Sequence, residues 1–211
     1  MEEVIRLSRV EIYKKATVWI GAIAVLAIIA FSEPQGSTIA VYLWDKVIGY
    51  TLVTIAMLGR IWCAVYIDGY KNEQLIRDGP YSICRNPLYI FSFIGLVGVL
   101  ISARILLLLV IVIPLYWAYF TFVIKSEEER LLALFGQEFI HYSSDIHRFL
   151  PSLRTYWSRD TIELKPRLIF RSIIRSSFFM WSLLLVELFE RMKAIEINGT
   201  VIIPTLWNLP F

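Results

Sequence analysis

Charged residues are scarce in this chain, and their scarcity indicates the class of protein before any motif is considered. They make up 18% of the 211 residues, whereas hydrophobic residues make up 57% and the mean hydropathy is +0.62. Soluble proteins contain about 25% charged and roughly 45–50% apolar residues. The composition therefore excludes an ordinary water-soluble enzyme and indicates an integral membrane protein.

Other features that mark common functional classes are also missing. Cys63 and Cys84 are the only cysteines and lie in unlike contexts, which excludes a disulfide scaffold. His141 and His147 are six residues apart, so they lack the i, i+4 spacing of a helical metal pair, and we predict no metal site. The chain has no phosphate-cradling glycine motif, nucleophile elbow or dinucleotide fingerprint, and a net charge of +3 is too small to indicate nucleic-acid binding.

Long apolar segments predict the membrane spans, since a bilayer core of about 30 Å needs roughly 20 apolar residues in a helix. The segments cover residues 17–32, 47–67, 88–103 and 105–124. The first resembles a signal peptide, but no clear small-residue cleavage site follows it, so we interpret it as a retained helix. The last two predict a tight helical hairpin, opened by Pro87 and kinked at Pro114. Arg60 lies inside the second segment, where a charge requires a partner or a route to the surface.

The C-terminal region is harder to interpret. In residues 164–177 apolar and basic residues alternate, which predicts an amphipathic helix lying on an anionic membrane surface. Residues 178–189 are apolar but interrupted by Glu187, so they either cross as a fifth helix or dip and return. Residues 199–211 have no evident place. We predict an all-α integral membrane protein with about five transmembrane helices and no strands, because no alternating ten-residue segments occur.

Positive charges predict the orientation, because lysine and arginine accumulate in cytoplasmic loops. Sixteen of the 21 lie in residues 1–16, 70–87 and 125–176, whereas the opposite side has Lys46 and Arg104. The N-terminus and both polar segments are therefore expected in the cytoplasm, and a site built from those segments faces the cytoplasm.

The first polar segment, residues 70–87, contains a turn and a predicted helix start. Arg85, Asn86 and the free amides at the start of the third membrane helix would bind a carboxylate or phosphate. Alternatively, Arg85 and Arg77 only anchor the loop to lipid head groups.

The second polar segment begins with an acidic triplet that continues the fourth membrane helix. Glu127, Glu128 and Glu129 would oppose the helix dipole there, which suggests that they hold a cation. Alternatively, they form a solvated cap paired with Arg130 or Lys125.

Aromatic residues follow the acidic triplet. Phe139, Tyr142 and Phe149 could sandwich a purine, or they could pack an interfacial helix. The sequence leaves both interpretations open.

Together the two polar segments resemble the isoprenylcysteine carboxyl methyltransferase family, and they are similar to the wider set of membrane methyltransferases that includes phospholipid N-methyltransferases. The resemblance is carried by Gly79-Pro80-Tyr81, Arg85-Asn86-Pro87, Leu88-Tyr89, Glu127-Glu128, Phe135-Gly136, Tyr142, Arg148 and Pro151. It covers about residues 70–151, which we expect to form the methyltransferase core. Residues 1–69 would supply helices 1 and 2, and residues 152–211 a basic and hydrophobic extension.

The resemblance implies S-adenosyl-L-methionine as cofactor, bound at the cytosolic surface. The residues that it places around the cofactor are Tyr81, Arg85, Asn86, Pro87, Tyr89, Glu127, Glu128, Phe139, Tyr142 and Arg148. The first five would lie near its amino-acid end, the glutamates near its ammonium or sulfonium, and the last three over its nucleoside. The family usually has histidine at the position of Asn86 and tyrosine at that of Phe139, so one titrating group and one hydroxyl are lost here.

The methyl acceptor implied by the resemblance is a lipid or a prenylated, lipid-like molecule. If the nucleophile is an anion, Arg85 or Lys125 could orient it; if it is an amine, Glu128 or a histidine could remove its proton. The excess of basic residues favours an anion, and Arg85 and Glu128 are the candidate catalytic residues. The C-terminal amphipathic helix would wall the lipid entrance or merely anchor the chain. Competing hypotheses are an NADPH-dependent membrane reductase of the sterol-reductase type and a non-catalytic scaffold.

Overall fold

The computed structural model describes residues 17, 19–34, 38–197, 200–201 and 203–209. The basic residues 6, 9, 14 and 15, which support the predicted orientation, lie outside them. Eight α-helices occur in the described part of the chain: α1 Trp19–Phe31, α2 Ile39–Ile67, α3 Pro80–Ile83, α4 Pro87–Ser102, α5 Leu106–Phe135, α6 Gln137–Asp145, α7 Pro166–Ser176 and α8 Phe178–Lys193. A 3-10 turn covers Leu153–Thr155.

The predicted all-helical class is confirmed, although four very short strands, which were not expected, accompany the helices. β1 (Ser32–Pro34) pairs in parallel with β4 (Trp207–Leu209), with Ser32 opposite Trp207. β2 (Glu196–Ile197) pairs antiparallel with β3 (Thr200–Val201). Strands of two or three residues are too short to produce an alternating pattern of apolar and polar residues, so the amino-acid pattern does not predict them. The pairing places the described part of the C-terminal segment beside the end of α1.

Helix lengths confirm an integral membrane protein. Three helical segments are long and apolar enough to cross a membrane: Ile39–Ile67, Leu106–Phe135 and the 28-residue run Pro166–Lys193 formed by α7 and α8. Trp19–Phe31 and Pro87–Ser102 are shorter apolar helices. The last long run shows that the C-terminal region has the length to cross, whereas the predicted total of five crossings rests on counting the two shorter helices.

Helix boundaries follow local chemistry as well as hydropathy. Pro87 is the first residue of α4, as predicted, and residues 103–105 form the tight connection of the predicted hairpin. α2 begins at Ile39 because the Thr38 hydroxyl caps it, accepting a hydrogen bond of 3.4 Å from the Val41 amide. α5 continues beyond its apolar part to Phe135 and ends at Gly136, whose φ of +51° favours glycine.

Small residues let α2 and α4 approach closely along their length. A Cβ atom added at Gly49 would lie 2.7 Å from the carbonyl oxygen of Gly98, and one added at Gly98 would lie 2.8 Å from that of Gly49. Close approach through small residues is how membrane helices gain packing energy, because lipid provides no hydrophobic driving force between them. α8 packs beside this pair, where Leu183 and Val186 join the core.

Polar contacts fix α8 at the end of the bundle that carries β1, the end opposite the two polar segments. The Lys46 ammonium, in a side chain that is only 10% exposed, lies 3.2 Å from a Glu187 carboxylate oxygen and 2.7 Å from Glu190. Lys193 donates to the Ile29 carbonyl oxygen at 2.9 Å. These contacts join α1, α2 and α8, and they explain how Glu187 is accommodated within an apolar helix.

Replacing Gly49 by valine should destabilise the α2–α4 contact, because the added carbon atoms meet backbone that cannot move aside. We expect a loss of about 1–3 kcal/mol in the free energy of unfolding, typical of overpacking. The matched control is Gly21→Val in α1, where an added Cβ meets nothing within 4 Å. Thermal unfolding in detergent measures both, and equal midpoints for the two variants would contradict the close packing.

Candidate cofactor-binding cavity

The Gly-Pro motif builds a single helical turn that docks against the chain after α6. Gly79 has a φ of +58°, and a Cβ added there would lie 2.3 Å from the Tyr66 ring, so both conformation and space require glycine. The Gly79 amide donates to the Trp157 carbonyl oxygen at 2.8 Å. α3 is thereby held between α2 and residues 152–159.

An ion pair between a buried carboxylate and an exposed arginine reinforces this docking. Asp78 is 1% exposed, and its carboxylate accepts two hydrogen bonds from the Arg159 guanidinium, the longer of 3.1 Å. The hydrogen bond with Asp78 raises the pKa of Arg159, which stays charged at neutral pH. Arg159 therefore connects the C-terminal extension to the first polar segment.

Two residues predicted to contact the nucleoside, Phe139 and Tyr142, make packing contacts within the protein. Phe139 and Tyr142 are each 6% exposed, with ring centroids 6.4 Å apart. The Tyr142 hydroxyl donates to the Tyr81 carbonyl oxygen at 2.8 Å, and burial raises the pKa of Tyr142. This pair attaches α6 beneath α3. Neighbouring Cys84 is buried, which raises the pKa of its thiol to about 11 and keeps it protonated at neutral pH.

Glu128 joins the two polar segments through two arginines. The Arg148 Nε donates to Glu128 Oε1 at 3.1 Å, and an Arg85 Nη atom lies 3.4 Å from the same oxygen. The backbone amide of Arg85 donates to the His147 carbonyl oxygen at 2.9 Å. The side-chain amide of Asn86 donates to the Arg148 carbonyl oxygen at 3.3 Å. The acidic triplet was expected to hold a cation, and at Glu128 the cations are the guanidinium groups of Arg85 and Arg148.

A cavity of about 250 Å³ opens where α2, α3, α4, α5 and α7 meet. Its lining residues are Arg60, Ala64, Ile67, Asp68, Lys71, Tyr81, Arg85, Asn86, Leu88, Tyr89, Glu127, Ser172, Arg175 and Ser176. Five of the predicted site residues are among them, namely Tyr81, Arg85, Asn86, Tyr89 and Glu127. The other five, Pro87, Glu128, Phe139, Tyr142 and Arg148, do not line it.

Hydrogen bonds fix the wall formed by α4 and α5. The Tyr89 hydroxyl donates to Glu127 Oε2 at 3.0 Å, and the Tyr116 hydroxyl donates to the Tyr89 carbonyl oxygen at 2.7 Å. Glu127 therefore presents a carboxylate to the cavity from a constrained side chain. Its neighbour Glu128 points instead to the arginines.

The opposite wall contains residues that the motifs did not indicate. α2 and the turn after it contribute Arg60, Asp68 and Lys71, and α7 contributes Ser172 and Arg175. Ser172 donates to the Asp68 carboxylate, and Arg175 donates to the Ser172 hydroxyl at 2.7 Å. Two features of the sequence could have indicated this wall: the charge of Arg60 inside a membrane span, and the regular spacing of basic residues in residues 164–177. The pattern of residues 164–177 predicts only a membrane-surface helix that could wall the lipid entrance.

The cavity suits a ligand that carries both signs of charge. Arg85 lines it, and the Arg85 Nε is buried without a hydrogen-bond partner, so a donor is available to an anion. Glu127 offers a carboxylate to a cation on the same ligand. The volume lies close to the lower end of the range of about 300–1,000 Å³ for ligand pockets. The amino-acid end of S-adenosylmethionine, with its carboxylate and ammonium, has this chemistry.

A second cavity of about 300 Å³ lies on the α6 side of α3. Its lining residues are Arg77, Ser82, His141, Tyr142, Asp145, Ile146, Thr155 and Trp157. Tyr142 is the one predicted cofactor residue that contacts it. Elsewhere in the described residues, as here, no group of three or more His, Cys, Asp or Glu side chains is arranged to hold a metal ion.

The long apolar helices place this chain among integral membrane proteins, and a cavity lined by charges of both signs lies among its helices. Residues 46–138, less than half of the chain, match the family model of the phospholipid methyltransferases. This stretch is therefore similar to a family of membrane methyltransferases, in agreement with the wider set that the motifs resemble. Membership of the isoprenylcysteine carboxyl methyltransferase family stays a prediction.

Two curated relatives are similar over a longer stretch. The cobalt-zinc-cadmium resistance protein CzcN of Cupriavidus metallidurans is 33% identical over 143 residues, which cover 68% of this chain and 66% of that protein, just under two thirds. The nickel-cobalt-cadmium resistance protein NccN of Alcaligenes xylosoxydans xylosoxydans is 34% identical over 143 residues, covering 68% of this chain and 67% of the relative. No solved structure matches the chain.

Removing Arg159 should destabilise the protein more than neutralising its partner. Arg159→Gln leaves the buried Asp78 carboxylate without a cation, which costs about 3 kcal/mol, whereas Asp78→Asn removes the charge and should cost about 1 kcal/mol. Thermal unfolding of the two variants and of the double variant tests this asymmetry. The double variant should be more stable than Arg159→Gln alone, and the reverse order would show that the pair does not secure this turn.

Proposed function

We propose that the protein is an S-adenosylmethionine-dependent methyltransferase that acts on a lipid-like acceptor with an anionic group, from a site facing the cytoplasm. One observation carries the proposal: Arg85 and Tyr89 from the first polar segment and its helix, and Glu127 from the second, line a single cavity. These residues lie within the stretch that matches the methyltransferase family.

Each of these side chains has a role in holding the cofactor. The Arg85 guanidinium would bind the cofactor carboxylate, and Glu127, held by Tyr89, would face the ammonium or sulfonium. When bound, S-adenosylmethionine supplies a methyl group: the acceptor forms a bond to the methyl carbon as the S–CH3 bond breaks, and its electron pair stays on sulfur, giving S-adenosylhomocysteine. The protein's contribution is to orient both partners.

Glu128 and Arg148 act through Arg85 in this proposal. Glu128 is 14% exposed and contacts both arginines, so it fixes the Arg85 guanidinium at the cavity wall. We assign Glu128 and Arg148 as positioning residues, while Arg85 contacts the ligand.

An anionic acceptor is consistent with the charges of the lining. Four cationic residues, Arg60, Lys71, Arg85 and Arg175, face two carboxylates, Asp68 and Glu127. Transfer of a methyl group from a sulfonium to an anion neutralises both charges, and a site shielded from water favours such a reaction because the charged reactants lose more hydration there than the less charged transition state. An amine acceptor would instead place another potential cation beside four existing ones.

Ligand-induced thermal shifts of the detergent-solubilised protein test the proposal directly. S-adenosylhomocysteine should raise the unfolding midpoint, whereas NADPH should not. A shift with NADPH alone would support the reductase hypothesis, and no shift with either would support a non-catalytic scaffold.

Substitutions locate the cofactor within the cavity. Arg85→Ala and Glu127→Gln should each weaken S-adenosylhomocysteine binding by about 1–3 kcal/mol, the usual loss for a charge-assisted contact. Glu128→Gln should weaken it through the loss of Arg85 orientation. The matched control is Glu129→Gln, because Glu129 is exposed on the same helix and does not line the cavity. Equilibrium binding measures all four affinities, and wild-type affinity in Arg85→Ala and Glu127→Gln would place the cofactor elsewhere.

A further inference from the structure

Arg60 lies in α2, within a membrane-spanning segment, and faces the cavity. Its guanidinium donates to the Ser92 hydroxyl and lies over the Phe179 ring, 5.7 Å from the ring centroid. Its Nε is shielded from solvent and has no hydrogen-bond partner. Among the described residues, no carboxylate pairs with Arg60. The contacts described for this cation within a membrane span are therefore with a hydroxyl group and an aromatic ring.

Such a cation is costly unless an anion accompanies it. A charged residue in the membrane pairs with another charge or marks a ligand pathway, because desolvation of the charge must be compensated. Glu127 and Asp68 share the cavity, but Glu127 accepts from Tyr89, and Asp68 accepts from Ser172 and lies 3.8 Å from Arg175. Neither carboxylate is directed to Arg60. A ligand in the cavity can supply the missing anion.

The C-terminal extension completes this side of the cavity. Arg175 lines the same wall as Arg60, and its positive charge acts on the Arg60 guanidinium. Two arginines on one wall repel each other, so an anion that binds beside both of them is attracted by each and reduces their repulsion. Ala64, Ile67 and Leu88 add apolar surface to the lining beside these charges, which suits an anion attached to an apolar chain.

We propose that Arg60, assisted by Arg175 of α7, forms the subsite that binds the carboxylate or phosphate of an amphiphile with a lipid tail. This subsite lies across the cavity from Arg85 and Glu127, and calling it the acceptor subsite rests on the proposed methyl-transfer function. Anion binding by Arg60 itself does not depend on that function. α7 is accordingly part of the site as well as a membrane contact.

Binding measurements on the full chain in neutral detergent test the subsite without any methyl transfer. Palmitate and hexadecyl phosphate are the anionic probes, and hexadecanol and inorganic phosphate carry the tail or the anion alone. We expect the two anionic amphiphiles to bind at least tenfold more tightly than either partial probe. Arg60→Gln should weaken their binding about tenfold and leave S-adenosylhomocysteine affinity within twofold, and Arg60→Lys should lose less.

The control variant is Arg171→Gln, which removes the same charge from an exposed position of α7 outside the cavity and should match the wild type. If Arg60→Gln does not fold, Arg60→Lys and Arg175→Gln serve as the variants, each with an expected loss of at least threefold.

Several results would overturn the subsite. They are equal binding of hexadecanol and palmitate, equal binding of inorganic and hexadecyl phosphate, an equal loss in Arg171→Gln, or a loss of S-adenosylhomocysteine binding alone in Arg60→Gln. Arg60-dependent binding of the amphiphiles by a protein that binds no S-adenosylhomocysteine would refute the methyltransferase proposal and retain the subsite.

Discussion

The contact of Glu128 with Arg85 and Arg148 brings two distant parts of the chain into one site. The side chains of Glu128 and Arg85 are 14% and 15% exposed, so their charges interact with little screening by water. A partly buried carboxylate that contacts two guanidinium groups strongly restricts both. Because α4 and α5 connect Arg85 to Glu128, this contact also sets where the hairpin returns, and with it the hydrogen bond between Tyr89 and Glu127 in the cavity wall.

The interactions at this end of the bundle differ from those along its length. α2 and α4 are held together by shape, through Gly49 and Gly98, because apolar side chains gain little by leaving lipid for one another. The polar segments are held by hydrogen bonds and ion pairs, such as Asp78 with Arg159 and Tyr142 with the Tyr81 carbonyl. Hydrogen bonds and ion pairs fix the orientation of the side chains that form them, whereas small-residue packing sets only how closely two helices approach. A site that must orient a charged ligand therefore belongs where the polar contacts are.

Much of the fold could be predicted from the sequence, because its main signals are local. Apolar length predicts the long spans, and a proline at position 87 predicts the start of α4. The shared cavity of Arg85, Asn86, Tyr89 and Glu127 agrees with the group of residues expected from the two polar segments, although the resemblance, rather than spacing alone, brought them together.

What could not be predicted depends on contacts between residues far apart in the chain. Nothing local distinguishes Glu127, which lines the cavity, from Glu128, which binds arginines, because consecutive helical residues point in directions about 100° apart and only the neighbours decide their roles. Phe139 and Tyr142 have the composition of a purine sandwich, and the structure shows that they also pack against each other beneath α3; their contact with a nucleoside stays a prediction. The strands β1 and β4 arise from pairing between the two ends of the described chain.

The role of α7 follows from an interaction at the far end of the bundle. Lys46 of α2 binds Glu187 and Glu190 of α8, which fixes α8 alongside α2. α8 continues from α7 through Ser177 alone, and at the other end of α2 the Ser172 hydroxyl reaches Asp68. α2 and the α7–α8 run are thus connected by polar contacts at both ends. The extension outside the family match consequently has a fixed place beside the cavity, and the residues that α7 presents there, Ser172, Arg175 and Ser176, form part of its wall.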